Sequence, residues 1–325
     1  MNETSAHKSV LNEQPFQILQ NISLADKNWF QTGGSARYYC QPTTDQEFVQ
    51  ALDFAKQHNL EIFMLGSGAN ILISDDGFDG LVIHPKLTQV THKDNADGTA
   101  LITAGAGTDF GDLIEYCLKL QFTNLEEFSG IPGTVGGSVY INLHYYEFFL
   151  ADFLEHAQIV DKATGAISTV SPDWFGFGYD ISKLHSKEHY LVSATFKVKQ
   201  ASELEIAHAR GRRQEIIRHR TRRFPTSGTC GSFFRNFLPE EVQNTDKKLI
   251  FVAYYLDKIG VKGELAVNDA VVSYQHANMI VNKGQATSSD IIQLASQMQQ
   301  KVHDEFGITP QPECQLIGFK NNPLA

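Results

Sequence analysis

Apolar positions recur along the chain first at helical spacing and then in short, strand-like runs. The first 20 residues are polar and read as a loose arm, with order expected from about Asn21-Ile-Ser-Leu24. Thr44-Asp-Gln-Glu47 has the form of a capping box. Phe48, Leu52 and Ala55 follow on one helical face, so a helix is expected to about His58. Short apolar runs come next, at Glu61–Leu65, Ile71–Ile73 and Leu81–Ile83, around glycine turns. Strand, helix and strand in this order predict a small α/β unit over residues 21–88.

From Gln89 the pattern changes to paired runs. Asp97-Gly98 separates Gln89–Lys93 from Ala100–Ala104, and Thr164-Gly165 separates Ala157–Asp161 from Ala166–Val170. Both read as hairpins, with Tyr190–Val198 as a closing strand. Thr108 is placed to cap a helix carrying Leu113, Ile114, Cys117 and Leu118. This second unit, residues 89–200, is expected to be α+β and mostly antiparallel. A third, residues 201–325, opens on the capping box Ser202-Glu-Leu-Glu205 and a helix to about Arg220, stopped by Pro225. Its second helix, Ser289–Phe306, has Ile291, Leu294, Ala295, Met298 and Val302 on one face and Gly307 as its C-cap. A last strand is expected over Glu313–Phe319. The fold class is therefore α+β: a two-part module followed by an α+β domain.

Composition narrows the classes. The chain has 325 residues, 42% apolar and 20% charged, enough to bury a core and to exclude general disorder. A net charge of -10 argues against nucleic acid as a partner. No apolar run approaches the ~18 residues of a membrane span, the richest being Leu249–Leu256. Met1–Gln20 lacks the basic flank and apolar segment of a signal peptide. Cys40, Cys117, Cys230 and Cys314 are widely spaced, which fits neither a disulfide framework nor a zinc module. A reduced, cytoplasmic, monomeric protein without membrane insertion is expected.

Common motifs fail. Gly66-Ser-Gly68 and Gly105-Ala-Gly107 both lack the third glycine of a dinucleotide fingerprint, and there is no Gly-Lys pair for a P-loop. His185-Ser-Lys-Glu-His189 has the form of a metal motif but runs directly into a predicted strand, where a helix would be needed. It is read as a polar loop, and no metal site is expected. Seven arginines fall within Arg210–Arg223, either a solvated helix face or an anion site.

The glycines carry more. Three clusters stand in order: Leu65-Gly-Ser-Gly-Ala-Asn70, preceded by Thr32-Gly-Gly34; Ala104-Gly-Ala-Gly-Thr108; and Gly130-Ile-Pro-Gly-Thr-Val-Gly-Gly137. Backbone N–H groups in such loops can converge on a phosphate because no Cβ intervenes, which leans toward a nucleotide-type cofactor. Clusters one and three resemble the motifs of the FAD-binding fold of the vanillyl-alcohol oxidase type, and within it the UDP-N-acetylenolpyruvoylglucosamine reductase family. The family's Leu-Gly-x-Gly-Ser-Asn appears with Ala69 in place of serine, and its Gly-Ile-Pro-Gly-Thr-Val-Gly-Gly is intact. The resemblance spans roughly residues 21–319. It implies that Leu65, Gly66, Ser67, Gly68, Ala69 and Asn70 bind FAD together with Gly130, Ile131, Pro132, Gly133, Thr134, Gly136 and Gly137. It also implies NADPH as hydride donor and a UDP-sugar enolpyruvyl ether as substrate, reduced to UDP-N-acetylmuramate for peptidoglycan precursor synthesis.

Gly228-Thr-Cys-Gly-Ser-Phe-Phe-Arg-Asn236 is similar to the family's substrate segment. Ser232 falls on its catalytic serine, and Glu313 in Pro312-Glu-Cys-Gln-Leu-Ile-Gly318 on its catalytic glutamate. Without the resemblance these would read as a turn serine and a surface carboxylate. With it, Ser232 would protonate the carbon next to the one that accepts hydride, and Glu313, its pKa raised by burial, would hydrogen-bond the enolate. Tyr179, Arg235 and Asn236 are the implied substrate-binding residues. His276-Ala-Asn-Met-Ile-Val-Asn282 matches a further stretch that reads as structural. Two departures stand out. Asp180, in Phe177-Gly-Tyr-Asp-Ile-Ser182, occupies the place of the family's active-site arginine. Lys183 or one of Arg210–Arg223 could substitute, or the substrate could differ. Ile141-Asn-Leu-His-Tyr-Tyr-Glu-Phe-Phe-Leu150 replaces a small, glycine-rich loop, so a different path is expected there, with Tyr145 and Tyr146 packed. A flavoenzyme with another substrate and a catalytically silent flavoprotein are the alternatives.

Overall fold

A computed structural model describes residues 16–325. Most of the expected N-terminal arm lies outside these residues. Its last part does not stay loose, because Ile18–Ser23 pairs antiparallel with Ser35–Cys40 as the edge of a sheet. That sheet continues through Phe78–Ile83 to Ile62–Met64, both joined in parallel. Helix Asp45–Gln57 covers one face. Thr44 caps it by accepting from the Glu47 N–H, while the Glu47 carboxylate reaches back to Thr43, not to Thr44. Phe48, Ala51, Leu52 and Ala55 are buried on Ile62, Leu81 and Ile83. Burying each large side chain of this kind stabilises the fold by about 1.5–3 kcal/mol relative to exposure.

The second sheet runs Ile167–Val170, Leu154–Asp161, His189–Gln200, Thr99–Gly105, Val90–Asp94, antiparallel throughout, with Phe122–Thr123 beside the end of His189–Gln200. Both predicted hairpins are present. The helix after the second glycine cluster is Phe110–Lys119, capped by Asp109, not by Thr108. Asp109 has the free extended backbone and a carboxylate that accepts from the Asp112 N–H; Thr108 is buried behind it. Phe110, Leu113, Ile114, Cys117 and Leu118 pack on Ile102, Ala104 and Phe196.

In the last part, helix Glu203–Arg223 runs a turn-fraction beyond the expected Arg220 and ends before Pro225. Helix Ser288–Phe306 closes on Gly307 in the left-handed conformation, φ 68°. Its apolar face packs on Ala270–Val272 and Ile280–Asn282, which pair antiparallel, in a core that also takes Phe30 and Leu72 from the first part of the chain. The last strand is shorter than expected, Gln315–Ile317, and pairs in parallel with Ile71–Ile73. This pairing returns the chain end, and Glu313 with it, to the first glycine loop.

Candidate active site

The three glycine clusters meet. Val135 donates its N–H to the Thr108 carbonyl and Gly136 to the Ala106 carbonyl, both at 2.8 Å, while Phe110 donates to the Gly133 carbonyl. These bonds lock the second and third clusters together. The first comes within reach at Gly66, where an added Cβ would sit 2.9 Å from Thr134 Oγ1. Gly68 has φ 70°, and a Cβ there would run into the Lys27 carbonyl and Asn28. The result is an open cleft. Leu65, Gly66, Ser67, Gly68, Ala69, Asn70, Ile131, Pro132, Gly133, Thr134, Gly136 and Gly137 line it. Gly130 stands behind the wall, its carbonyl accepting from Arg220 Nε at 3.0 Å.

The walls fit a flavin dinucleotide. Among the described residues, none of the backbone N–H groups from 66 to 70 donates to another protein group. Asn70 Oδ1 and, beside Gly107, Thr108 Oγ1 are buried without a protein partner. A cradle of unpaired donors with buried polar atoms suits a pyrophosphate, and Ile131, Pro132, Ile141 and Leu191 supply apolar walls for a ring system.

Ser232 and Glu313 are held on adjoining strands of backbone. The Glu313 N–H donates to the Phe233 carbonyl at 2.9 Å, and the Arg235 N–H to the Gln311 carbonyl, also at 2.9 Å. Asn278 clamps the first of these segments. It accepts from the Phe233 N–H on its carbonyl and from the Phe234 N–H on Oδ1, and donates Nδ2 to the Phe234 carbonyl at 2.7 Å. Phe233 and Phe234 are fully buried on either side of the clamp. Ser232 is left half-buried.

Glu313 is half-buried. Burial, and then the nearby Asp180 carboxylate, push its pKa up to about 8. Asp180 is itself raised by burial, and His144 pulls it back. His144 Nδ1 lies 3.4 Å from Asp180 Oδ1. The Tyr179 hydroxyl is raised by burial and by the Asp180 and Glu313 charges, and the neighbouring Asn236 side chain pulls it back. Asn236 Oδ1 in turn accepts from the Val252 N–H at 3.3 Å. Tyr179, Asn236 and Glu313 thus come together. Arg235 is turned to Glu241 in a two-pronged ion pair of 2.9 and 2.8 Å.

Of the cations weighed against Asp180, three are engaged elsewhere. The Lys183 ammonium sits 4.5 Å above the Trp174 ring. Arg210 pairs with Glu115 and Arg212 with Glu127. The divergent loop forms a hairpin, His144–Tyr145 with Phe148–Phe149. Tyr145 packs, but Tyr146 does not: it is 65% exposed, edge-on to Tyr145. Of the other histidines, His185 stacks on Tyr140, and His189 pairs with Asp161 beside Trp174. Sequence reasoning missed His144, Asn278 and Gln315, which lines the cleft from the C-terminal strand. For His144 a signal existed: an acid in the arginine position and an imidazole in a glycine position, changed together.

Comparison with known proteins agrees with this geometry. Residues 36–171 match the family model described as FAD binding domain, and residues 224–317 that described as UDP-N-acetylenolpyruvoylglucosamine reductase, C-terminal domain. The enzyme of that name from Nostoc sp. is 32% identical over 291 residues, 89% of this chain and 83% of the relative. The one from Gloeobacter violaceus is 33% identical over 313 residues, 93% and 97% of the two chains. The crystal structure of the Thermus caldophilus reductase superposes with a TM-score of 0.73 at 27% identity, covering 93% of this chain and 99% of that one. The chain therefore belongs to the UDP-N-acetylenolpyruvoylglucosamine reductase family and is an FAD-dependent oxidoreductase.

Proposed function

We propose that this protein reduces UDP-N-acetylglucosamine enolpyruvate to UDP-N-acetylmuramate at the expense of NADPH, a step in peptidoglycan precursor synthesis. The observation that carries the reading is Glu313, kept as a neutral acid beside the segment that bears Ser232. A bound flavin would supply hydride for the enolpyruvyl methylene carbon. As charge builds on the carboxylate, Glu313 donates a hydrogen bond to the developing enolate oxygen, worth more in a water-poor cleft than in solution. The Ser232 hydroxyl delivers the proton to the neighbouring carbon. Serine is a poor acid in water, so its effect rests on the fixed position set by the Asn278 clamp. Tyr179 and Asn236 orient the substrate, and Arg235 contributes through its neighbourhood to Asn236, whose carbonyl accepts from its Nη1 at 2.9 Å.

In this reading residues 21–88 and 89–200 bind the flavin, residues 201–325 take the substrate, and the protein works as a cytoplasmic monomer. Among the described residues no helix is long and apolar enough to cross a membrane. One observation favours a second reading, a flavoenzyme of this family with another substrate: Asp180 puts a second carboxylate beside Glu313. The two are separated by incubating purified holoenzyme with NADPH and UDP-N-acetylglucosamine enolpyruvate and following products by mass spectrometry. UDP-N-acetylmuramate formed in step with NADPH consumption supports the first. NADPH oxidation without that product supports the second.

A further inference from the structure

The wall around Glu313 has an uneven charge. Two carboxyl groups, Asp180 and Glu313, face one another there, and a substrate that carries a carboxylate would add a third. Lys183, Arg235, Arg210 and Arg212 each have their charge engaged away from this wall. One basic side chain is paired to it, His144. Its hairpin brings Nδ1 to 3.4 Å from Asp180 Oδ1. The imidazole lies tilted on the Tyr179 ring, centroids 4.4 Å apart, and parallel to Phe149 at 5.6 Å, so its plane is set from both sides. The side chain is 23% exposed, and its Nε2 makes no hydrogen bond to the protein among the described residues. Titratable neighbours are Asp180 and Tyr179, with Glu313 behind Asp180.

We propose that His144 binds the carboxylate of the substrate through Nε2, with Asp180 as the positioning residue that holds the ring. A charged imidazole has a donor at each nitrogen; one meets Asp180 and the second is left for a ligand anion. A carboxylate beside one ring nitrogen that leaves the other for a ligand is a recurring way to orient an imidazole. It also accounts for Asp180 standing where the family resemblance puts an arginine. The cation comes from the hairpin instead, and the acid orients it. Asp180 adopts φ 56° and Asn142 φ 51°, and Asn142 Nδ2 bonds the Gly178 carbonyl at 3.0 Å, so the two loops are tied to each other.

This inference rests on the reductase reading, and the test separates the two. Calorimetry would measure binding of UDP-N-acetylglucosamine enolpyruvate and of UDP-N-acetylglucosamine, which lacks the carboxylate, to the oxidised holoenzyme and to His144→Ala and Asp180→Asn. We expect His144→Ala to weaken the enolpyruvate about tenfold or more, about 1.4 kcal/mol, and to leave UDP-N-acetylglucosamine unchanged. Asp180→Asn should weaken the enolpyruvate alone by a smaller factor, with the flavin spectrum and melting temperature of both variants as in the parent. Equal weakening of both ligands, or of neither, by His144→Ala would overturn the role of His144. An unaltered Asp180→Asn would overturn that of Asp180. A parent that binds UDP-N-acetylglucosamine but the enolpyruvate no tighter would overturn this inference and leave the cleft as a UDP-sugar site. A parent that binds neither ligand would overturn the reductase reading, and this inference with it.

Discussion

The Glu313 N–H donates to the Phe233 carbonyl at 2.9 Å, so the acid is fixed one residue from Ser232 in the facing segment. Its neutral form is the useful one, because only that form donates a hydrogen bond. The pKa is raised to about 8, so the neutral acid dominates below about pH 8 and is lost as pH rises through it. Oxidation of the reduced flavin by substrate should therefore fall about tenfold per pH unit above that point. Stopped-flow traces across pH 6–10 check this. Glu313→Gln should remove that limb, and Glu313→Ala should slow the step by about 10²–10³-fold. A rate that rises with pH would show that Glu313 acts as a base.

Ser232→Ala removes the proton donor, and Ser232 is not among the residues that line the flavin cleft. Reduction of the flavin by NADPH should keep its rate, and reoxidation by the enolpyruvyl substrate should drop by several hundredfold or more. Separate stopped-flow measurement of the two halves checks it. Equal loss in both would place Ser232 in a structural role.

Asn278 satisfies a buried N–H and a buried carbonyl of Phe234 at once. Asn278→Ala leaves both unpaired, at about 1–3 kcal/mol for each group. A lower melting temperature is expected, together with a slower substrate half-reaction, since the same clamp positions Ser232. Calorimetric unfolding of the holoprotein measures the first.

Gly68→Ala puts a methyl against the Lys27 carbonyl at a positive φ. The first glycine loop must then move, and its unpaired N–H groups no longer converge. The variant should purify with much less flavin, read from the ratio of visible to ultraviolet absorbance, while circular dichroism stays close to the parent's.

Local signals were legible in the sequence. Capping boxes and apolar spacing located the helices Asp45–Gln57, Glu203–Arg223 and Ser288–Phe306 to within a few residues. The Asp97-Gly98 and Thr164-Gly165 turns located both hairpins. What escaped was non-local. The parallel pairing of Gln315–Ile317 with Ile71–Ile73 joins residues from opposite ends of the chain, and no periodicity encodes a partner so distant. Capping by Asp109 in place of Thr108 turns on which of two adjacent cap-forming residues is buried, a tertiary matter. In the site, glycine motifs and the Ser232 and Glu313 segments were readable because their chemistry needs a fixed local order. The His144–Asp180 pair was harder to see, because its halves lie on separate loops and only the two departures taken together point to it.

The central claim is that this cleft passes a hydride equivalent to an enolpyruvyl ether with Asp180 in place. The most direct measurement is a single turnover without oxygen: the flavin is reduced with one equivalent of NADPH, UDP-N-acetylglucosamine enolpyruvate is added, and flavin absorbance is followed. The account predicts prompt return of the oxidised spectrum with one equivalent of UDP-N-acetylmuramate. A flavin that stays reduced in the presence of excess substrate would contradict it.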